Sequence, residues 1–429
     1  MTDTNTKLVL TNRVGIKDSH TLAVYEQTGG YQTIQKLFAT EPTALVDEIK
    51  NSGLRGRGGA GFSAGLKWSF VPQNTGQPKY LCVNADESEP GTFKDRLLME
   101  EDPHQLIEGI IIACYAIRSN ACYIYIRGEF DLSRRRLEVA VKEAYDKGYL
   151  GKNIFGKGYE LNIYIHRGAG AYICGEETAL LNSIEGWKGQ PRIKPPFPAS
   201  KGLFGCPTVV NNVETISALP FILQNGAASY KKWGTEKSPG TKLFSVSGHV
   251  VKPGVYEVAL GYPLKDLIYK DCGGILNGKK LKAVVPGGSS VPVLTAADIE
   301  TVNLDYESIA QHGSMLGSGG VIVMDEDVDM VWALQTLSRF YAHESCGQCT
   351  PCREGTGWIN KILKRVLHEG GTEGDLALLN EICDNMVGKT ICVLADALAM
   401  PVVSYIKKFP EDFKKHLKKT TSSERMRIL

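Results

Sequence analysis

The sequence lacks a long hydrophobic run and an excess of charge of either sign. Its longest apolar stretch, residues 106–117, is interrupted by Glu108 and is shorter than the roughly 20 residues that cross a bilayer. The 49 Lys and Arg residues nearly balance the 47 Asp and Glu residues, which excludes the global basic field of a nucleic-acid binder. Because the N-terminus has no signal core and few arginines, we expect a reducing, cytoplasmic compartment.

The chain does have the length for several domains, and it has 11 cysteines without a pairing pattern. Its 429 residues, 43% of them apolar, are enough for about two to four packed domains. Cysteines without even spacing are typical of thiols that stay reduced. Seven stand singly, and we predict them to be core thiols: Cys82, Cys114, Cys122, Cys174, Cys206, Cys272 and Cys383.

Three further cysteines share one short segment, Ser345-Cys-Gly-Gln-Cys-Thr-Pro-Cys-Arg353. Thiolates at successive three-residue steps are typical of a cubane iron–sulfur cluster, here with Cys346, Cys349 and Cys352 at three corners. A structural zinc ion, the first alternative, more often takes two separated Cys-x-x-Cys pairs. Ordinary core thiols, the second, are disfavoured because the segment contains no aliphatic residue. The triplet therefore indicates electron transfer.

A fourth cluster ligand has to come from further along the chain, where Cys383 and Cys392 are the only cysteines. Cys392 precedes a predicted helix, and the positive end of a helix dipole favours a thiolate. Cys383 falls in the middle of a helical pattern, on its apolar face. We predict Cys392 as the fourth ligand, with Cys383 as the competing candidate.

The first half of the chain alternates between strand and helix patterns. After a helical stretch at residues 32–50, strands are predicted at residues 80–84, 122–126 and 161–165, with helices at 103–118 and 132–147. Alternation of this kind predicts an α/β fold with a parallel sheet.

The second half changes pattern twice. Short strands at residues 243–246, 255–258 and 281–285 surround one short helix at 264–271, which predicts a small α+β module. Beyond residue 327 the pattern is helical, with the cysteine triplet in the first interhelical loop. We therefore expect an N-terminal segment (1–72), an α/β domain (73–238), a small module (239–326) and a helical domain (327–429).

A glycine-rich segment, Arg55-Gly-Arg-Gly-Gly-Ala-Gly-Phe62, contains the spacing Gly-x-Gly-x-x-Gly. Glycines there allow backbone amides to approach a phosphate or a flat ring closely. The segment follows a helical pattern at residues 44–51 instead of a strand, so it fails the context test for a dinucleotide-binding fingerprint. Taken alone, it fits a flexible surface loop equally well.

Polar residues follow two predicted strands. The first strand runs into Asn84-Ala-Asp-Glu-Ser-Glu-Pro90, and the third into Gly168-Ala-Gly-Ala-Tyr-Ile-Cys-Gly-Glu-Glu-Thr178. Ligands in open α/β folds bind outside the carboxyl ends of strands, so both segments and the glycine loop are expected at one crevice. Glu176 and Glu177 could instead stabilise a helix dipole, but that does not explain the acidic cluster after the first strand.

These segments together resemble a known family. Along with Val210-Asn-Asn-Val-Glu-Thr215 and the cysteine triplet, they are similar, in order, to the NADH-oxidising flavoprotein subunit of respiratory complex I, its F or 51-kDa subunit. The similarity spans residues 53–401. It implies a Rossmann-like domain for FMN and NADH, a β-grasp-like module of the SLBB type, and a C-terminal helical bundle that holds one 4Fe-4S cluster.

The resemblance also implies site residues. The flavin pocket would be lined by Gly56, Arg57, Gly58, Lys67, Asn84, Asp86, Glu87, Ser88, Tyr172, Gly175, Glu176, Glu177, Asn211, Asn212 and Thr215. NADH would be bound by Phe62, Phe70, Glu89, Glu177, Lys194 and Phe197. The cluster would be held by Cys346, Cys349, Cys352 and Cys392. Asn211 and Asn212 precede a helical stretch at 213–223 and suit an N-cap that presents amides to the FMN phosphate.

By the same resemblance, NADH would give a hydride to FMN, and single electrons would pass to the cluster without a catalytic side chain. The implied partners are a thioredoxin-like 2Fe-2S subunit (E or 24-kDa type) and a large iron–sulfur subunit (G or 75-kDa type), on a path to quinone. The chain would lie in the peripheral arm of a complex on the cytoplasmic side of a bacterial inner membrane. Neither nucleic-acid binding nor membrane insertion is expected.

Two other functions remain open. A diaphorase subunit of an NAD-linked hydrogenase or formate dehydrogenase would share every motif, although such chains often carry extra ferredoxin-like cysteines and none follows Cys392. A non-catalytic scaffold with a structural metal would have lost the flavin-pocket residues, which are all present. Within the site, we expect Glu177 to repel a 2′-phosphate and so to favour NADH over NADPH.

Overall fold

The first sheet forms the centre of the N-terminal half. The structure, a computed structural model, describes residues 9–418. Its first five strands are β1 (Tyr80–Ala85), β2 (Ala121–Ile126), β3 (Gly151–Ile154), β4 (Tyr159–Arg167) and β5 (Thr208–Asn212). They lie in the order β3-β4-β2-β1-β5, parallel except for β3. The predicted parallel α/β sheet is confirmed, while β3 and β5 were not predicted.

Helices cover this sheet and supply most of its core. They are α1 (Leu22–Gln27), α2 (Thr33–Phe38), α3 (Pro42–Ser52), α4 (Ala64–Ser69), α5 (Lys94–Glu101), α6 (Pro103–Ile117), α7 (Asp131–Asp146), α8 (Glu177–Ile184), α9 (Pro198–Lys201), α10 (Val213–Ser217), α11 (Leu219–Asn225) and α12 (Ala227–Tyr230). Helix α6 begins where Pro103 follows an N-cap, Asp102, whose side chain accepts the Gln105 amide. It is buried along almost its whole length.

Two predicted helical stretches are divided in the structure. The stretch at residues 32–50 breaks between α2 and α3, because a proline, Pro42, has no amide hydrogen and restricts the residue before it. The stretch at 213–223 breaks at Ala218, which precedes Leu219 and Pro220. Helices α1 to α4 share one hydrophobic core with β1 and β2, so the N-terminal segment packs as part of the α/β body.

The small module is built on a second sheet. Its strands are β6 (Thr241–Gly248), β7 (Gly254–Ala259), β8 (Leu281–Val285), β9 (Leu294–Thr295) and β10 (Gly320–Asp325), and its α-helices are α13 (Leu264–Asp266) and α14 (Tyr306–Gln311). The order is β7-β6-β10-β8-β9, with only β10 and β6 parallel among the pairs. The three predicted strands are confirmed, whereas β9 and the central β10 were not predicted. The short helix predicted at residues 264–271 consists of α13 and a π-helix, Leu267–Asp271, that follows it directly.

The C-terminal region is a helical bundle, as predicted. Its helices are α15 (Met330–Glu344), α16 (Thr350–Arg365), α17 (Glu373–Met386), α18 (Leu394–Lys408) and α19 (Pro410–Lys415). The cysteine triplet lies only partly in the first interhelical loop. Cys346 is in the loop, Cys349 is the N-cap of α16, and Cys352 is within the first turn of that helix. Within residues 9–418, no helix is both long and apolar enough to cross a membrane.

A buried carboxylate attaches the N-terminal helices to α6. Glu108, the residue that interrupts the longest apolar stretch, accepts hydrogen bonds from the Tyr25 hydroxyl, the Tyr31 amide (3.0 Å) and the Thr33 hydroxyl. All four residues are buried. Because buried donors without an acceptor are costly, Glu108 is needed to hold α1 and α2 in place.

We expect Glu108→Ala to lower Tm by about 5–10 °C, because three buried donors lose their acceptor. Differential scanning calorimetry of the full chain measures the shift. Glu138→Ala is the matched control, since Glu138 is an exposed carboxylate on α7 paired with Arg134. Its Tm is expected to stay within about 2 °C of the wild type. Equal shifts in both variants would contradict the anchoring role of Glu108.

Candidate functional site

A crevice opens at the carboxyl ends of β1 and β5. Its volume is about 430 Å³, within the range of small-molecule sites. Of the residues predicted for the flavin pocket, those that line it are Gly56, Gly58, Lys67, Asn84, Asp86, Glu87, Ser88, Tyr172, Gly175, Glu176, Glu177, Asn211, Asn212 and Thr215. The glycine loop and two strand ends, widely separated in sequence, are thus brought together.

Arg57 is the one predicted pocket residue whose side chain lies elsewhere. Its guanidinium is buried and donates through Nη2 to the Tyr230 hydroxyl (3.0 Å) and the Pro239 carbonyl (2.9 Å). Its backbone amide donates to the Thr215 hydroxyl at 2.9 Å. The Arg57 side chain therefore fixes the glycine loop on the side away from the crevice, and a role for Arg57 in binding the flavin stays a prediction.

The glycine loop, residues 55–62, is held in a defined shape. The Gly56 amide donates to the Phe62 carbonyl (2.8 Å), and the Tyr306 hydroxyl donates to the Gly56 carbonyl (2.8 Å). A Cβ at Gly58 would lie 3.1 Å from the Asn212 Cβ, so the loop approaches the end of β5 closely. These contacts argue against the alternative that the segment is a flexible surface loop.

Asn211 and Asn212 end β5 on the floor of the crevice. Asn212 is the predicted N-cap of the following helix, with Oδ1 accepting the amides of Glu214 (2.9 Å) and Thr215 (3.4 Å). Asn211 Oδ1 accepts from the Trp68 indole at 2.8 Å. The predicted N-cap at Asn212 is therefore present, and the presentation of amides to an FMN phosphate stays a prediction.

The acidic cluster after β1 divides into different environments. Asp86 is buried, with Oδ1 bonded to the Ser88 hydroxyl (2.9 Å) and Oδ2 without a partner. Burial raises the pKa of Asp86 from 3.8 to about 7. Glu87 instead accepts the amides of Lys94, Asp95 and Arg96, which open α5, and burial raises its pKa as well. Only Asp86 has an unused oxygen at the crevice.

Glu89 lines the crevice but is held by other parts of the chain. It accepts from the Tyr172 hydroxyl (2.6 Å), the Ser290 amide (2.7 Å) and the Ser289 hydroxyl (3.2 Å). Burial raises the pKa of Glu89 despite these donors. The carboxylate therefore links the end of β1 to a loop of the second sheet.

Two lysines and two glutamates form a neutral group at one side of the crevice. Lys67 Nζ lies 2.8 Å from Glu177, and Lys194 Nζ lies 2.9 Å from Glu176 and 3.3 Å from Glu177. Burial would raise the pKa of Glu177, but the two ammonium groups outweigh it and hold that pKa below its usual value. The Glu176 side chain also caps the N-terminus of α8, which agrees with the alternative that this residue stabilises a helix dipole.

The three aromatic residues that the resemblance assigns to NADH binding are at the surface. Phe62, Phe70 and Phe197 are 49%, 55% and 59% exposed, so they are not core residues. Phe62 lines the crevice, and its ring centroid is 6.3 Å from that of Phe70. Phe70, Phe197 and Lys194 are not part of the crevice lining itself.

A second, small cavity brings the predicted cluster ligands together. Its lining includes Cys346, Cys349, Cys352 and Cys392. Cys383 is fully buried in the bundle and lies outside this cavity, which agrees with the preference for Cys392. In residues 9–418, no group of three or more His, Cys, Asp and Glu side chains is arranged to hold a single metal ion. Four thiols around one cavity are the donor set of a 4Fe-4S cluster.

The crevice and the cysteine cavity are neighbours. Ile173, Cys392 and Leu394 line both of them. Ile173 lies in a short 3₁₀ turn, Tyr172–Gly175, and Leu394 begins α18. One layer of side chains therefore separates the two sites.

Several residues of the crevice were missed by the sequence prediction. Lys94 and Asp95 follow the acidic cluster and could have been found by extending that motif to the start of α5. Ser290 and Ser318 come from loops of the second sheet and have no local signal, because only tertiary packing brings them to the crevice.

Comparisons with known proteins agree with this arrangement. Family models match the Nuo51 FMN-binding domain over residues 49–220, an SLBB domain over 242–323, and the NADH-ubiquinone oxidoreductase-F iron-sulfur binding region over 332–416. The first and third matches confirm the predicted FMN and 4Fe-4S cofactors, and all three agree with the predicted fold class.

Relatives extend over nearly the full length. The chain is 50% identical over 410 residues to the NADH-quinone oxidoreductase F-type subunit numbered 2 of Rhizobium meliloti (strain 1021), covering 95% of this chain and 97% of the relative. It is 52% identical over 400 residues to the F-type subunit of Streptomyces coelicolor (strain ATCC BAA-471 / A3(2) / M145), covering 93% of this chain and 89% of the relative.

Among solved structures, the chain is similar to one from an NAD+-reducing [NiFe]-hydrogenase in the H2-reduced state. The identity is 36% and the TM-score 0.84, covering 93% of this chain and 67% of the other. This chain matches the FMN-binding, SLBB and iron–sulfur family models and is about 50% identical to relatives over nearly its full length. The chain therefore belongs to the family of NADH-quinone oxidoreductase F-type subunits.

Proposed function

We propose that this chain oxidises NADH at an FMN bound in the crevice and passes the electrons singly to a 4Fe-4S cluster held by Cys346, Cys349, Cys352 and Cys392. The observation that carries the proposal is the shared wall of the two sites, formed by Ile173, Cys392 and Leu394. When bound, FMN supplies two-electron hydride acceptance and one-electron return, and the cluster supplies one-electron acceptance.

The crevice residues fit a flavin. The glycine loop leaves room for close approach of a ligand, since a Cβ at Gly59 would meet no atom within 4 Å. Asp86 Oδ2 is a buried oxygen without a partner in the protein, and a bound flavin can satisfy it. Asn84, whose Nδ2 donates to the Gly175 carbonyl (2.8 Å), holds the end of β1 to the 3₁₀ turn that follows β4.

The cysteine cavity fits a cluster by the chemistry of its donors. Burial raises the pKa of the Cys352 thiol and raises that of Cys392 to about 12. The positive charge of iron is therefore needed to hold these sulfurs as thiolates. The backbone amide of Ile391 donates to Cys349 Sγ at 3.4 Å, a bond of the kind that tunes a cluster's potential.

No side chain needs to act as a general acid or base in this reaction. Phe62, Phe70 and Phe197 offer exposed rings for the adenine of NADH, and Glu177 with Lys67 and Lys194 offers polar groups for its ribose and phosphates. The flavin itself accepts the hydride, so the role of the protein is to position the flavin and NADH.

As a member of this family, the chain works in a multi-subunit complex with iron–sulfur partners. We assign those partners to a thioredoxin-like 2Fe-2S subunit and a large iron–sulfur subunit, in the peripheral arm of a membrane-bound complex that leads to quinone. A diaphorase role beside a hydrogenase is the second candidate, on the basis of the structural similarity to an NAD+-reducing hydrogenase. Co-purification of either a hydrogenase or the complex I subunits distinguishes the two.

The central test is electron paramagnetic resonance of anaerobic, FMN-replete protein before and after NADH. We expect NADH to produce a reduced 4Fe-4S signal, because nucleotide, flavin and cluster form one path. The variant Cys392→Ala is expected to bind fewer than about one iron per chain and to give no signal, since a 4Fe-4S cluster needs four ligands.

The matched control for the cluster is Cys383→Ala, which should keep about four irons per chain and the NADH-dependent signal. Loss of iron from this variant, with iron retained in Cys392→Ala, would reverse the ligand assignment. A cluster that dithionite reduces but NADH does not would contradict the proposed path in the isolated chain.

Glu177 determines nucleotide choice in this proposal. With Glu177→Gln, Lys67 and Lys194 lose one of their two counter-charges, and the site gains attraction for a 2′-phosphate. We expect the ratio of kcat/KM for NADPH to that for NADH to rise about tenfold. The control, Glu129→Gln, changes an exposed carboxylate outside the crevice and should leave the ratio unchanged. An unchanged ratio for Glu177→Gln would exclude this role.

Asp86 makes the stability of the flavin-free protein depend on pH. Its folded-state pKa, about 7, lies above its ordinary value of 3.8, so between these values the folded chain binds more protons than the unfolded chain. Stability from this group is therefore lost as pH rises from the ordinary pKa through the folded-state pKa. We expect the Tm of Asp86→Asn relative to the wild type to rise by about 4–8 °C from pH ~4.5 to pH ~8. A constant difference would refute the raised pKa.

A further inference from the structure

A fully buried lysine joins the second sheet to the back of the glycine loop. The Lys242 side chain, on β6, is 0% exposed, and Nζ donates to the Arg57 carbonyl (3.0 Å) and lies 3.3 Å from a Glu214 carboxylate oxygen. Lysine is almost never fully buried unless it is paired. Lys242 does not line the crevice.

The contacts of Lys242 continue to the crevice through other buried charges. Glu214, on α10, also accepts the Leu243 amide (2.8 Å) and pairs with Lys94 (2.6 Å). Lys94 pairs with Asp95 (2.9 Å), and Asp95 accepts from the Asn212 side-chain amide at 2.6 Å. A continuous set of polar contacts thus runs from β6 to the end of β5.

These contacts fix two walls of the crevice at once. The Arg57 carbonyl belongs to the peptide that joins Arg57 to Gly58 in the loop, and Glu214 is next to Thr215; Gly58 and Thr215 both line the crevice. The Arg57 amide in turn donates to the Thr215 hydroxyl. Burial lowers the pKa of Lys242 to about 7, and the amine donates to the Arg57 carbonyl in either protonation state.

We propose that Lys242 is a positioning residue for flavin binding: from the SLBB domain it holds the glycine loop and helix α10 at the distance that admits FMN. The proposal rests on the proposed function, in which FMN occupies the crevice. It gives the SLBB domain a part in cofactor binding through a residue that never touches the cofactor.

Lys282 provides a matched control in the same domain. It lies on β8, donates to the Val328 carbonyl (2.6 Å) and pairs with Asp412, which ties the second sheet to the helical bundle. None of these three residues lines the crevice. Removing either lysine side chain breaks an interdomain ion pair, but only Lys242 contacts the glycine loop.

The experiment measures the Kd of FMN for the full-length, flavin-depleted chain by quenching of flavin fluorescence, alongside Tm. We expect Lys242→Met to raise the Kd by about tenfold or more, since the loop carbonyl and Glu214 lose a buried partner. Lys282→Met should lower Tm to a similar extent and leave the Kd within about twofold. At saturating FMN, the KM for NADH in Lys242→Met should match the wild type, because Lys242 does not contact the nucleotide site.

Three results would overturn the role of Lys242 in flavin binding. A Kd within about twofold of the wild type in Lys242→Met, or an equal loss of affinity in Lys282→Met, would overturn the proposal. A changed KM for NADH with unchanged FMN affinity would overturn it too. If Lys242→Met is insoluble, Lys242→Gln is judged on the same criteria. If the wild type itself binds no FMN, the proposed function fails, and this inference fails with it.

Discussion

The structure depends on keeping two cavities on opposite sides of a single layer of side chains. Electron transfer between a flavin and a cluster requires proximity, and here Ile173, Cys392 and Leu394 belong to both cavity walls. Ile173 comes from the 3₁₀ turn after β4. Leu394 begins α18, and Cys392 lies two residues before that helix. Holding these two segments together is therefore the main mechanical task of the fold.

Hydrogen bonds between the α/β domain and the helical bundle contribute to this task. The Tyr172 amide donates to Glu344 at the end of α15 (3.0 Å), while its hydroxyl donates to Glu89. Gln190 Nε2 donates to the Cys346 carbonyl at 3.2 Å, which fixes the first cysteine of the triplet to the α/β domain. Because each link joins a cofactor wall to a different part of the chain, the relative position of the sites is set by tertiary structure and not by one local motif.

Local patterns predicted the elements that are long or strongly periodic, and missed those that packing creates. β1, β2, β4, α6 and α7 were found because period and length agree. β5 is short and ends in two asparagines, which weakens its strand pattern. β10 contains the β-branched run Val-Ile-Val, a strand signal that the sequence prediction missed. The crevice residues followed from motifs, but the direction of the Arg57 side chain depends on Tyr230 and Pro239, far away in sequence.

The hydrophobic core explains why the sites cannot be separated from the fold. One buried cluster contains Tyr125 and Val210 of the first sheet, Val285 of the second, and Leu334 and Leu398 of the bundle. Ile173 and Leu394, which form part of the wall between the two cavities, belong to the same cluster. Close-packed interiors transmit strain, so a volume change in the bundle reaches that wall. Variation in this core is therefore constrained by the distance between the cofactor sites as well as by stability.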